Sequence, residues 1–217
     1  ANWDIVPSVS DYVADFDYVS VPDYPSHGVF IQGGTWGVQT DSLWAWFAIN
    51  RLQRQVITYG HAWGAIRDWY LAKHGVPELP PDFYLDGNVS HMDLDNNDVI
   101  NDYFAAYAIE QFENDPDLYG VSLDPYAGWF GSVAKLAEYN GGNASALTDW
   151  QFGMCNQVQQ MVRDHFNDGK KRHIGSLAYH YHSVPPSIMI DPDIVIQPTQ
   201  GMNVGGLTFE QIMAGWR

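Results

Sequence analysis

A chain of 217 residues has room for one substantial domain or two small ones, with enough length to bury a real core. Its 26 acids against 10 bases leave a formal charge of −16, spread along the chain and carried mostly by Asp, which argues against general adhesion to nucleic acid or anionic lipid. A single cysteine excludes an intrachain disulfide, and no apolar run approaches the length of a membrane span, so synthesis inside a cell without membrane insertion is expected.

Nine Trp and thirteen Tyr in a chain that is only 17% charged make an unusual surface composition. Tyr and Trp are enriched, and Lys and Glu depleted, where proteins meet each other. Coverage by partners is the expected explanation, with an aromatic-rich carbohydrate site as the competing one.

Residues 1–40, including "VSVPDYPSHGVFIQGGTWGVQ", are punctuated by Pro and Gly and lack helical periodicity. They read as an extended N-terminal arm with one strand at Gly28 to Gln32. A helical body is expected over residues 41–169. It opens with "DSLWAWFAINRLQRQVITYG", where Leu43, Trp46, Ile49, Leu52 and Val56 recur at spacings of three and four. A second helical stretch, "HAWGAIRDWYLAKHG", closes on Lys73, His74 and Gly75, with Pro77 beyond. The Pro-rich connector "VPELPPDFYLDGN" leads to a helix carrying Phe104, Ala108 and Phe112 on one side, with Ala105 and Ile109 beside them.

The next helix is read from Asp124 as N-cap and Pro125 at its first position to Asn140, Gly141 and Gly142. The last helix of the body is expected to start near Asp149, with Thr148 and Gln151 forming a T-x-x-Q capping box. In residues 170–197 the period changes to two, predicting strands in "HIGSLAYHYHSV" and on both sides of Asp191-Pro192-Asp193 in "SIMIDPDIVI". Residues 198–217 read as a C-terminal arm with a short helix, "TFEQIMAGW". The fold class expected is therefore α+β and mainly helical: a helix-bundle body, a small C-terminal β element and extended terminal arms. Both arms are rich in aromatics, including Trp3, Tyr12, Phe16, Phe209 and Trp216, and are expected to be ordered by neighbouring subunits.

Cys155 precedes His182 and Asp191 in the order used by papain-like and transglutaminase-like thiol enzymes. However, Phe152, Cys155, Val158, Val162 and Phe166 fall on one apolar stripe, which places Cys155 in the core. A reactive cysteine instead needs a helix N-terminus and electropositive neighbours. The 27 residues from Cys155 to His182 and 9 from His182 to Asp191 are also short for the transglutaminase-like arrangement.

His180 and His182 form an H-x-H pair whose side chains are expected to share one strand face, the geometry two metal ligands need, although no third ligand follows at a recognisable spacing and a polar aromatic strand gives the same pattern. "DLDNNDVIND" places Asp93, Asp95 and Asn97 at the first coordinating positions of a calcium loop. Asp98 stands where the turn glycine belongs and Phe104 where the bidentate Glu belongs, so a capping turn is the favoured reading. The run Lys170, Lys171, Arg172 reads as solvated charge at a helix end. No G-x-S-x-G, P-loop, dinucleotide fingerprint or H-E-x-x-H occurs, and no cofactor is expected.

Three stretches, "AINRLQRQVITYGHAW", "GVPELPPDFYLD" and the pair "VINDYFAAYAIEQFENDPDLYG" with "PYAGWFGSVAKLAEYN", resemble the head-to-tail adaptor (connector) proteins of tailed bacteriophages, especially short-tailed ones. The resemblance covers roughly residues 41–140. It implies a non-enzymatic virion protein, made in the host cytoplasm, that forms a ring between portal and tail components. No catalytic residues are implied, and an acidic lumen would let DNA pass without sequence-specific binding. The alternative from a different class is a thiol hydrolase or transferase using Cys155, His182 and Asp191.

Overall fold

Helix α1, Trp63–His74, ends where the sequence predicts: Gly75 adopts φ 65° and its amide N–H donates to the Leu71 carbonyl. Glycine takes this left-handed cap without a Cβ clash. The computed structural model describes residues 62–85, 92–124, 133–203 and 207–216, all within the compact unit Ile57–Arg217. The arm over residues 1–40, the helix expected over 41–60, and the Pro125 start of the "DPYAGWF" helix lie outside the described residues.

Ile66 and Tyr70 turn α1 inward, while Trp69 and Lys73 converge on Glu110. The indole N–H and the ammonium each donate to that carboxylate at 2.6 Å, and together they hold its pKa below the ordinary range. The Pro-rich connector then crosses the core on Leu79 and Phe83, with a 3-10 turn at Pro81–Phe83. Its end is pinned by an antiparallel bridge between Tyr84 and Met92.

The expected Phe104 helix exists, but it begins as a π-helix, Val99–Ala105, before continuing as α2, Ala106–Asn114. The wider turn lets Val99, Ile100, Tyr103, Phe104 and Ala105 all face inward, whereas a regular α-helix would turn one of them toward solvent. Tyr103 is fully buried, and its hydroxyl donates to the Trp63 carbonyl. Phe104, Ala108 and Phe112 continue the buried stripe, as their spacing requires.

Strand β1, Gly120–Ser122, is a short element that hydrophobic periodicity did not announce. Helix α3, Val133–Asn140, and the turn through Gly142 (φ 106°) follow, and then α4, Ala146–Phe166. Strands β2, His173–His180, and β3, Ile194–Asn203, complete a three-stranded, all-parallel sheet in the order β1-β2-β3. The architecture is thus mixed α+β. Ile174 pairs with Val121 on one side and Ile194 on the other, so β2 is the central strand.

A parallel β2–β3 pair needs a connection that returns the whole strand length. Here it is residues 181–193, without a helix of its own. The expected strand at "SIMI" is therefore a correction: Ser187–Ile190 has no strand partner and lies along α4 instead. Three polar residues of α4, each seven apart, hold it there. Asp149 accepts from the Ser187 amide and hydroxyl, and Asn156 donates to the Met189 carbonyl at 2.9 Å and accepts from the Asp191 amide at 2.9 Å. Arg163 pairs with Asp191 at 2.8 Å and with Asp193 at 3.3 Å. Residues seven apart drift only about 20° around a straight helix, so the three form one stripe.

The capping-box reading of Thr148 and Gln151 is also corrected, because α4 has already begun at Ala146 with Ser145 as N-cap. Thr148 donates to the Val184 carbonyl at 2.8 Å, and Gln151 donates to Ser176 on β2 at 2.6 Å. The same T-x-x-Q signature does form a complete capping box at Thr208 and Gln211, at the head of helix α5, Phe209–Gly215. The described residues of 198–216 carry that expected short helix and pack on their own chain. Strand β3 continues to Asn203, Ile212 is buried, and the Trp216 ring meets Phe152 at 5.1 Å.

Candidate functional site

In parallel sheets, chemistry gathers at the carboxyl ends of the strands. Here the chain collects Ser122 at the end of β1 and Asp124 just after it, Ser176 on β2, and Gln151 and Cys155 from α4, all buried. Helix α4 runs antiparallel to β2, since Gln151 near its start reaches Ser176 whereas Gln159 farther along reaches Arg172 and Ile174 at the head of the strand.

Cys155 is completely buried, as its place on the apolar stripe predicts. Burial pushes its thiol up to about 12, and the nearby Asp124 carboxylate adds to the rise while the Ser176 hydroxyl opposes it through a hydrogen bond. A nucleophilic thiolate needs the opposite environment. At neutral pH the group is a protonated thiol that fills core volume.

Of the two proposed partners of Cys155, Asp191 is engaged elsewhere. Both carboxylate oxygens of Asp191 accept from Arg163 Nη2, and Oδ1 also accepts from the Asp193 amide. His182 lies beyond β2 in the turn that follows the strand, with its amide donating to the Tyr179 carbonyl. Its ring is 5% exposed, packs edge-on to Tyr179 at 6.2 Å, and has no partner for Nδ1. Burial, with a further contribution from His180, lowers its pKa to about 4.

The expectation that His180 and His182 share one strand face is corrected too. The strand ends at His180, which takes φ 49°, and a register irregularity falls between Ala178 and His180. Past that point alternation no longer sets direction. The calcium-like loop acts as a pair of side-chain turns. Asp93 accepts from the Asp95 amide at 3.0 Å and Asn96 from the Asp98 amide at 2.9 Å, while Asn97 is exposed beside them. Among the described residues no cluster of three or more His, Cys, Asp or Glu side chains is arranged to hold a metal ion.

At the opposite end of the sheet, a hollow of about 350 Å³ is lined by Arg163, Phe166, Lys170, Lys171, Arg172 and Asp193, among others. The basic run is not uniformly solvated. Arg172 is buried, stacked 3.7 Å over Phe166 and bonded through both terminal nitrogens to Asp168, whose pKa is driven well below the ordinary range. Lys170 reaches Asp117 and Lys171 reaches Asp193, both at 3.4 Å. Each of the four cations that line the hollow is thus paired with a carboxylate, two of them with Asp117 and Asp191 outside the lining, which weakens its attraction for an anion.

Sequence reasoning missed Gln151, Gln159 and Asn156 as organisers of this region. Their amides sit within a helical pattern and read as solvent-facing until the buried Gln151 and Gln159 and the partners of Asn156 are seen. No family model matches the chain, and neither the curated proteins nor the solved structures compared with it yielded a match. Among the described residues no helix is long and apolar enough to cross a membrane.

Proposed function

We propose that the protein is a non-enzymatic structural component of a virion, a ring-forming head–tail connector or neck protein that contacts portal and tail components. The observation that carries the non-enzymatic part is the state of Cys155: sealed in the core, with its thiol pushed up to about 12, while Asp191 is committed to Arg163. The virion class rests on the resemblance across residues 41–140. It is consistent with the charge of −16, suited to a channel through which DNA slides, and with an aromatic-rich, Lys-poor composition.

The reading places the inter-subunit contact in the N-terminal segment, residues 1–40, because the C-terminal helix packs on its own chain. Native mass spectrometry and negative-stain imaging of the full chain test it. A closed ring is expected, with deletion of residues 1–25 reducing it to smaller species. A full chain that stays monomeric at all concentrations, or a deleted chain that still closes the ring, overturns the proposal.

A further inference from the structure

The turn after β2 holds a buried histidine and also serves as the seat of the C-terminal helix. Residues 181–185 present their backbone carbonyls to side chains from two elements. Thr148 and Ser145 at the start of α4 donate to Val184 and Pro185, and the Trp216 indole donates to Ser183 at 3.0 Å. Gly215 lies so close to Pro185 that a Cβ there would fall 2.3 Å from the proline Cγ. The turn begins at a left-handed hinge, His180, and its hydroxyl brace is Ser183 donating back to the His180 carbonyl.

We propose that this turn is an acid-sensitive latch for helix α5, which opens when His182 is protonated. The geometry supplies the reason. His182 is 5% exposed, and its Nδ1, already buried without a partner, would become a second N–H with no acceptor. A buried cation without a counter-charge is strongly disfavoured. Among the described residues, the titratable groups around the turn offer no relief. On the strand side these are His180 and the phenols of Tyr179 and Tyr181. On α4 Asp149 is taken by Ser187, and α5 contributes no titratable group among its described side chains. Of these only His180 acts on His182, and it disfavours the charge further.

The folded pKa of His182 is depressed to about 4. An opened turn returns the ring to an ordinary value of about 6.5. The open form therefore binds the extra proton, and the latch weakens as pH falls from about 6.5 toward 4. Between pH 7 and pH 5 the closed-to-open ratio drops about twentyfold.

Hydrogen exchange of the full chain, corrected for the intrinsic pH dependence of exchange, tests the latch. Protection of residues 207–216 is expected to fall about twentyfold from pH 7 to pH 5, while protection in the middle of α4 persists. His182→Gln is expected to remove that pH dependence, and His165→Gln, on an exposed imidazole, to retain it. If His182→Gln does not fold, the imidazole signal of the unaltered chain decides. It should stay neutral in the closed form and protonate only as residues 207–216 lose protection. Unchanged protection at pH 5, the same loss in His182→Gln, or protonation near pH 6.5 with α5 still protected overturns the proposal.

Discussion

Replacing Gln159 by Leu is expected to cost about 3 kcal/mol, although the two side chains are close in volume. Gln159 is 2% exposed on α4, and its amide is used at both ends: Nε2 donates to the Arg172 carbonyl at 2.8 Å and Oε1 accepts from the Ile174 amide at 2.9 Å. Those backbone groups lie at the head of the central strand, Arg172 just before it and Ile174 its second residue. Leucine would leave both buried and unpaired, at about 1–3 kcal/mol each, offset by about 1–2 kcal/mol from burying an apolar side chain in place of an amide. A loss near 3 kcal/mol is a large part of a domain's total stability of about 5–15 kcal/mol. In a unit of this size it lowers Tm by about 6–12 °C. Urea denaturation of Gln159→Leu, with Gln160→Leu as the control, measures it, since Gln160 is exposed and contacts only Asp164 and Arg163 through its side chain. If Gln159→Leu loses less than about 1 kcal/mol, or no more than the control, the amide does not organise the strand.

Cys155 in the folded chain is expected to resist a small alkylating reagent at neutral pH, and to react at the ordinary rate only after denaturation; mass spectrometry reads both, and rapid modification of native protein refutes the core assignment. Gly215→Ala is expected to destabilise the chain by about 1–3 kcal/mol through its overlap with Pro185. Combining it with Pro185→Ala should recover most of the loss, and additive losses in thermal melts would show that the two residues do not meet.

The helices were legible where burial is decided by one face. Phe104, Ala108 and Phe112 announce α2, and Lys73-His74-Gly75 announces the end of α1. What local pattern could not supply was the identity of each partner. T-x-x-Q occurs at Thr148 and again at Thr208, but only the second caps a helix. At the first, Ala146 and Leu147 already belong to the helix, and the Thr and Gln side chains are spent on the turn and on β2. "SIMI" has the composition of a strand, yet its backbone bonds go to Asp149 and Asn156, 38 and 33 residues earlier. β1 is three residues long and gains its identity only by lying against β2. The candidate thiol site was legible as a core position from the stripe through Phe152 and Val158. The left-handed turn at His180, which separates it from His182 in direction, was not.

Helix α4 explains why so small a parallel sheet holds together without a helical crossover between β2 and β3. One side of it carries Thr148, Gln151, Cys155, Gln159 and Val162, all buried; through Gln151 and Gln159 it reaches two levels of β2. The adjacent stripe, Asp149, Asn156 and Arg163, holds the returning segment along the same helix, which brings Ile194 into register beside Ile174. The helix thus acts as a template for register, a role that a βαβ unit gives to its own crossover helix. Charge in that stripe is local. Arg163 sits between Asp191 and Asp193, and its guanidinium pKa is raised by the first of them. Because these pairs are partly exposed, their worth lies less in stability than in fixing where the segment turns back toward the sheet. Loss of Arg163 would therefore disturb the start of β3 before it disturbs the core.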